Sequence, residues 1–394
     1  MSDARLQHHV FSSDGGYRTT FVSPELPPAT VKELEVAAYA EQTAFQQGPA
    51  HACRRLADGQ IAITRTIVHG ADHVGRKRIC SHTILLQPEA VFGVEGFNPA
   101  EPAADLFMDA EVPAERPGAY LVGAWRVPEG VALNERRGAA MTALQQEPAL
   151  RHVLAGLLAV QRTLVVAGPL REGFRLLGLA AWLLPPEMRR RATYRAGTWT
   201  PAQVDAEGAV SAVVLPDNDH LREFSGGQYM PVDLSAPPGY ALPVDTYAGF
   251  VAAFLDEPHA ARRLASFLGM LTAFPGPGRP SRDQQSCFIQ GYAMLEPVLL
   301  SADQPGEVVA RAPGLVRALC PLAKSGREAM ARWLVDCLDQ ALPRLERPAV
   351  MESMKTLRQE LAENLFLKGS ELGTVLAGYG ERLREVATGT VAPR

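Results

Sequence analysis

The run from His69 to Leu86 gathers His69, Asp72, His73, Arg76, Lys77, Arg78, Cys80, Ser81 and His82, the densest set of reactive side-chain types in the chain. Three chemistries suit that set. His, Cys and Asp side chains are ligands for zinc or iron. Cys80 beside His82 or His73 has the composition of an activated thiol, although nothing in the sequence marks a third orienting group. Gly70 to Gly75 has the G-x-x-x-x-G spacing of a phosphate loop. The phosphate-loop reading fails at the next two positions: such a loop continues with Lys and then Ser or Thr and opens a helix, whereas Arg76 and Lys77 stand here and lead into a strand pattern. On a strand, Cys80 and His82 share a face with Ile84 and Leu86, so burial accounts for them as well as ligation does. The plainest account of the stretch is a glycine-supported turn of a β-hairpin. Arg76-Lys77-Arg78 is then either a solvated turn or a contact for phosphates or carboxylates, which the guanidinium fork engages in bidentate fashion.

The elements around the stretch define its setting. Q-I-A-I-T-R-T-I-V-H alternates and is β-branched, and R-I-C-S-H-T-I-L-L is apolar on both faces, which predicts a strand inside a sheet. Near the start, two β-prone runs flank Asp14-Gly15-Gly16 and predict a hairpin. Thr30 and Glu33 have the spacing of a capping box at the head of a helix whose apolar stripe is Val31, Leu34, Ala37 and Ala38. Residues 88–128 are weakly patterned and read as loops with short pieces. From about 134 to 184 the order is helix, the strand T-L-V-V-A, and a helix stopped by Pro185-Pro186. R-R-A-T-Y-R-A-G-T-W and G-A-V-S-A-V-V-L-P predict two further strands. Arg189, Arg190, Arg191 and Arg195 with Tyr194 and Trp199 suit either a single-stranded nucleic acid or the C-terminus of a helix, where positive residues are favoured.

Beyond about residue 238 the periodicity becomes helical, with Met354, Leu357, Leu361 and Leu365 on one face and a break at F-P-G-P-G-R-P-S. The expected fold is therefore α+β: a mixed sheet with hairpins and packed helices in 1–238, and an all-α helical bundle or array in 239–394. A chain of 394 residues exceeds what one hydrophobic core usually serves. Its formal charge of −4 gives no overall attraction to nucleic acid or anionic membrane, so neither is expected as a partner. The 5 cysteines (Cys53, Cys80, Cys287, Cys320, Cys337) form no C-x-x-C pair, which argues against a disulfide framework or a zinc module. The opening M-S-D-A-R-L-Q has no apolar core of a signal peptide, and the longest apolar run, Leu176 to Leu184, is about half of what a membrane span needs. A cytoplasmic protein with no resident metal or cofactor is expected.

Three segments, H-H-V-F-S-S-D-G-G-Y-R, G-R-K-R-I-C-S-H-T-I-L-L and L-L-G-L-A-A-W-L-L-P-P-E-M-R-R-R-A-T-Y-R, resemble landmarks of the N-terminal region of bacterial GTPase-associated proteins. Those landmarks are an early hairpin, an arginine-bearing turn into an F-S-H strand, and a leucine-rich helix ending in L-P before another strand. The resemblance spans roughly residues 7 to 200, and Cys80 stands where the pattern has an aromatic. It implies a non-enzymatic adaptor or regulatory component of a bacterial conflict or defence system. Such a component would bind a protein partner, a GTPase encoded nearby, through Arg76, Arg78, Ser81 and His82. No catalytic residue carries over. The alternative is a metal-dependent or cysteine-based hydrolase centred on residues 69–82, which requires His69, Asp72, His73, Cys80 and His82 to converge on one pocket.

Overall fold

The computed structural model describes residues 3–13, 16–45, 49–71, 74–87, 96–102, 104–108, 121, 123–158, 162–184, 186–206, 210–237, 251, 347–363 and 371–388. The chain divides into two compact units, Met1–Leu242 with Val251–Glu257, and Pro243–Phe250 with Pro258–Arg394.

The first unit opens with β1 (Asp3–Arg5), β2 (Gln7–Ser12) and β3 (Arg18–Val22), followed by α1 (Pro28–Ala44). Strands β4 (Ala50–Arg55), β5 (Ile61–Ala71) and β6 (Lys77–Leu86) come next. After β7 (Ala124–Arg126), helices α2 (Gly130–Gln146) and α3 (Pro148–Leu158) lead to β8 (Thr163–Ala167) and α4 (Leu170–Trp182). The unit ends with α5 (Pro186–Arg191), β9 (Tyr194–Ala196), α6 (Pro201–Ala206), β10 (Ala212–Leu215) and β11 (Tyr229–Asp233). In the second unit the described elements are α7 (Arg347–Glu363) and α8 (Glu371–Thr388).

A 9-stranded sheet in the order β11-β8-β10-β9-β4-β5-β6-β2-β3 organises the first unit. It has two characters. Strands β11, β8, β10 and β9 pair in parallel, and Leu164, Val165, Val213 and Val214 are fully buried, as expected of strands covered by helices on both faces. Strands β4, β5, β6, β2 and β3 form an antiparallel meander, joined to the parallel half where Cys53 of β4 pairs with Tyr194 of β9.

Period-two alternation sorts the side chains into two layers. His8, Val10, Cys80, His82, Ile84, Arg65 and His51 occupy one face by register. On that face α3 and α4 approach closely at glycines: a Cβ on Gly156 would meet the Leu164 side chain, and one on Gly173 would meet Val214. Helix α1 covers the other face, where Leu34 packs with Leu56, Ala62 and Leu85, and Ala44 packs with Val165, Ala167 and Val213.

The opening hairpin forms as β2–β3, and the strand expected to be interior is β6, hydrogen-bonded on both sides. Two local expectations change. The α1 helix begins at Pro28, whose fixed φ suits a first helical position, so Thr30 is not its cap. Instead the Thr30 hydroxyl donates to Asp58 Oδ2 at 3.1 Å, and Glu33 accepts from the Ala57 amide at 3.2 Å, tying the helix to the β4–β5 turn. Arg190 and Arg191, which open a run read as a strand, instead form with Arg189 the last turn of α5, the helix C-terminus also considered for these three arginines, and the strand begins at Tyr194. Of the expected C-terminal stripe, Met354, Leu357 and Leu361 lie on α7; Leu365 and most of 239–346 lie outside the described residues.

Candidate functional site

The His69–Leu86 stretch is the long β5–β6 hairpin. Gly70 and Gly75 have φ of +76° and +81°, the left-handed region that glycine enters without a Cβ penalty, and the register slips between Val68 and Ala71. Asp72 and His73 lie outside the described residues. At the turn Arg76 and Lys77 are exposed, Val74 is 60% exposed, Arg78 is half-buried, and His69 is half-buried on β5.

Further along β6 the reactive residues enter the interior. Cys80, Ser81 and His82 are fully or almost fully buried, so the part of the hairpin open to a partner narrows to Val74–Arg78. Ser81 faces α1: its hydroxyl lies 3.0 Å from Thr66 Oγ1 and accepts from Gln42 Nε2 at 3.2 Å, while the same amide donates to the Phe11 carbonyl at 2.9 Å. These bonds satisfy polar groups that burial would otherwise penalise.

His82 lies in the opposite layer. Its Nδ1 accepts the Met108 backbone N–H at 2.9 Å, so the proton of the neutral ring must sit on Nε2, which lies 3.0 Å from His8 Nδ1. Both nitrogens are thereby occupied, and a second proton would set two donors against each other. Burial, with the neighbouring His8, His9 and Arg65 charges, pushes the His82 pKa down to about 3. His51, with Phe107 and Phe174 rings edge-on at 5.5 Å and 5.7 Å, is held at about 4 by burial and by Arg65. His9 is held at about 4 by burial against the opposing pull of Glu35; its Nε2 meets Thr19 Oγ1 at 3.0 Å, and the Thr19 hydroxyl donates to Glu35 at 2.6 Å. These imidazoles are neutral structural groups at physiological pH.

The thiols are tuned in the same sense. Burial pushes both Cys80 and Cys53 up to about 12, the opposite of the shift that activates a nucleophile. Among the described residues no group of three or more His, Cys, Asp or Glu side chains is placed to hold a metal ion.

The second arginine cluster also turns inward. Arg189 is fully buried, donating through Nε to the Phe97 carbonyl at 2.8 Å with its guanidinium 5.0 Å above the Trp182 ring. Tyr194 and Trp199 are buried, and the Trp199 indole donates to the Ala196 carbonyl at 2.7 Å. The aromatic faces that base stacking would require are occupied by the core.

A different surface lies at the hairpin end of the sheet. Ser13, which follows β2, exchanges bonds with Ile79: its amide donates to the Ile79 carbonyl at 2.9 Å, and its hydroxyl accepts from the Ile79 amide at 2.8 Å. The β2–β3 turn is thereby held at the sheet end from which Val74–Arg78 projects. That turn carries Tyr17, 49% exposed, edge-on to Tyr39 of α1, 50% exposed, with ring centres 4.8 Å apart. No local motif singles out this pair. Tyr39 falls outside the apolar stripe of α1, which was the available signal.

No protein-family model matches the chain, and no curated protein is significantly similar to it. Among the described residues no helix is long and apolar enough to cross a membrane.

Proposed function

We propose that the chain is a non-enzymatic adaptor of a bacterial GTPase-associated conflict or defence system, acting in the cytoplasm and binding a GTPase partner. The contact surface is the sheet end made by Arg76, Lys77 and Arg78 with the Tyr17–Tyr39 pair. One observation carries this reading: two of the groups with catalytic potential, Cys80 and His82, are locked in the core, while Arg76, Lys77 and two half-exposed tyrosines stand at one end of the sheet. Tyrosine and arginine are the side chains that most often dominate protein interfaces, because each adds large contact area with a directed polar group. Rigid seating on a central strand suits a surface that must be recognised without reorganisation. In this reading residues 239–394 form a helical bundle or array.

Affinity purification of the chain from its own host tests the proposal. A GTPase should co-purify in near-stoichiometric amount, and the Tyr17→Ala, Arg76→Ala, Arg78→Ala variant should retain at most roughly a tenth of it, as the loss of central anchors predicts. The variant's thermal midpoint should stay close to wild type, because Arg76 is exposed and Tyr17 and Arg78 are only half-buried. Absence of a GTPase from the wild-type preparation, or full retention by a folded variant, would refute the assignment.

A further inference from the structure

Helix α1 covers its side of the sheet with little apolar surface. Leu34 is its only large apolar side chain that is buried; the other residues turned inward are Ala37, Ala38 and Ala44 with the polar Thr30, Glu41 and Gln42. Helix α4, on the opposite face, buries Leu170, Phe174, Leu176, Leu177 and Trp182. Burial of apolar area is what fastens a helix to a sheet, so α1 is held far less firmly than α4. Its ends add little: no side chain caps its first turn, no acid stands there, and no base stands in its last turn.

The layer beneath α1 is polar instead. By register with Ala62 and Leu85, which pack against Leu34, the sheet face under α1 carries His9, Arg54, Thr64, Thr66, Ser81 and Thr83. The Thr64 and Thr83 hydroxyls lie 2.9 Å apart and those of Thr66 and Ser81 3.0 Å apart, bonds that run between β5 and β6 and need no helix. What α1 itself contributes is the Glu41–Arg54 ion pair and the Gln42 amide, which donates to the Phe11 carbonyl at 2.9 Å and to Ser81 at 3.2 Å. Such bonds are exchanged for bonds to water when a helix leaves, so their net hold is small. A second observation points the same way: Gln42 Oε1, Glu41 Oε2, Arg54 Nε and His9 Nδ1 are buried without a hydrogen-bond partner. Opening hands all four to water.

Single hydrogen bonds at the rim hold the helix closed. The Thr30 hydroxyl donates to Asp58 at 3.1 Å, the Thr19 hydroxyl donates to Glu35 at 2.6 Å, and the Thr198 amide donates to the Ala44 carbonyl at 2.9 Å. We infer that α1 is a lid that opens locally, leaving the sheet as one unit while the 9-stranded sheet and α4 stay folded. Opening parts Tyr39 from Tyr17, so that aromatic pair exists only while the lid is closed. What this means for a partner rests on the contact surface proposed above; the opening itself does not, and its test needs no partner.

Native-state hydrogen exchange of the full chain, followed by mass spectrometry over a series of low urea concentrations, tests the inference. Amides from Val31 to Thr43 should exchange together, at least roughly tenfold faster than those in the second half of α4, and with a weak urea dependence, because a local opening exposes little surface. Leu177→Val should speed exchange in α4 by roughly fivefold and leave the α1 rate where it is, since α4 remains folded in the open form. Should that variant fail to fold, the urea series on wild type decides alone. Exchange of α1 at the rate and urea slope of α4, an acceleration by Leu177→Val shared equally by α1, or fast exchange confined to the terminal turns of α1 overturns the lid.

Discussion

At the scale of single residues, His82 shows how one side chain joins three parts of the chain. Its Nδ1 receives the Met108 amide and its Nε2 lies against His8, so β2, β6 and the segment at 108 share one imidazole. Removing the ring leaves a buried donor and a buried acceptor unmade as well as a void. His82→Ala should therefore cost about 2–4 kcal/mol in urea denaturation. Asn places an oxygen near the position of Nδ1, so His82→Asn should recover more than half of that loss; equal losses in the two variants would mean that packing, not the acceptor, is what matters. The sequence singled this residue out as a contact or ligand, and the structure places it in the core. Alternation in R-I-C-S-H-T-I-L-L already implied burial on both faces, which is what Ser81 and His82 show, but their partners Gln42, Thr66, His8 and Met108 lie too far along the chain for any local pattern to connect.

Among the elements, glycine does two different jobs that a count of glycines conceals. Gly70 sits at φ +76° with open space where a Cβ would go, so Gly70→Ala should cost about 1 kcal/mol through backbone conformation alone. Gly173 lies in ordinary helix, where alanine would gain about 1 kcal/mol in propensity, yet its Cβ would run into Val214 of β10. In a packed layer the clash outweighs propensity, and Gly173→Ala should be net destabilising by about 1–2 kcal/mol. Denaturation curves check both, and a stabilised Gly173→Ala would show that α4 can shift away from the sheet. Hairpins were legible because turn chemistry and alternation are local signals: both β2–β3 and β5–β6 stand where the patterns put them. In the parallel half the strands themselves were legible, since Thr163–Ala167, Tyr194–Ala196 and Ala212–Leu215 all fall within runs read as strands, but their order across the sheet was not, because crossover helices set it.

For the whole molecule, the buried titratable groups set the pH range over which the first unit is stable. His9, His51 and His82 fall from 6.5 to about 4, about 4 and about 3 on folding. Between those values and 6.5 the unfolded chain takes up protons that the folded chain refuses, so stability is full above about pH 6.5 and declines as pH falls. Each group contributes up to about 1.4 kcal/mol per pH unit, and the three together about 4. Against a typical total of roughly 5–15 kcal/mol, most of the stability should be gone by about pH 4.5. At the alkaline end the sign reverses. Cys53 and Cys80 rise from 9.0 to about 12, so the unfolded chain loses protons that the folded chain keeps, and stability declines again as pH climbs past 9. Urea denaturation from pH 4 to 10 at fixed ionic strength should give a plateau between about 6.5 and 9 with a steep acid flank. His82→Asn should reduce the acid slope by about a third, because one of the three refused protons is no longer in play. A curve as stable at pH 5 as at pH 7.5 would mean that these histidines reach water in the folded protein and that the buried layer around His82 is open.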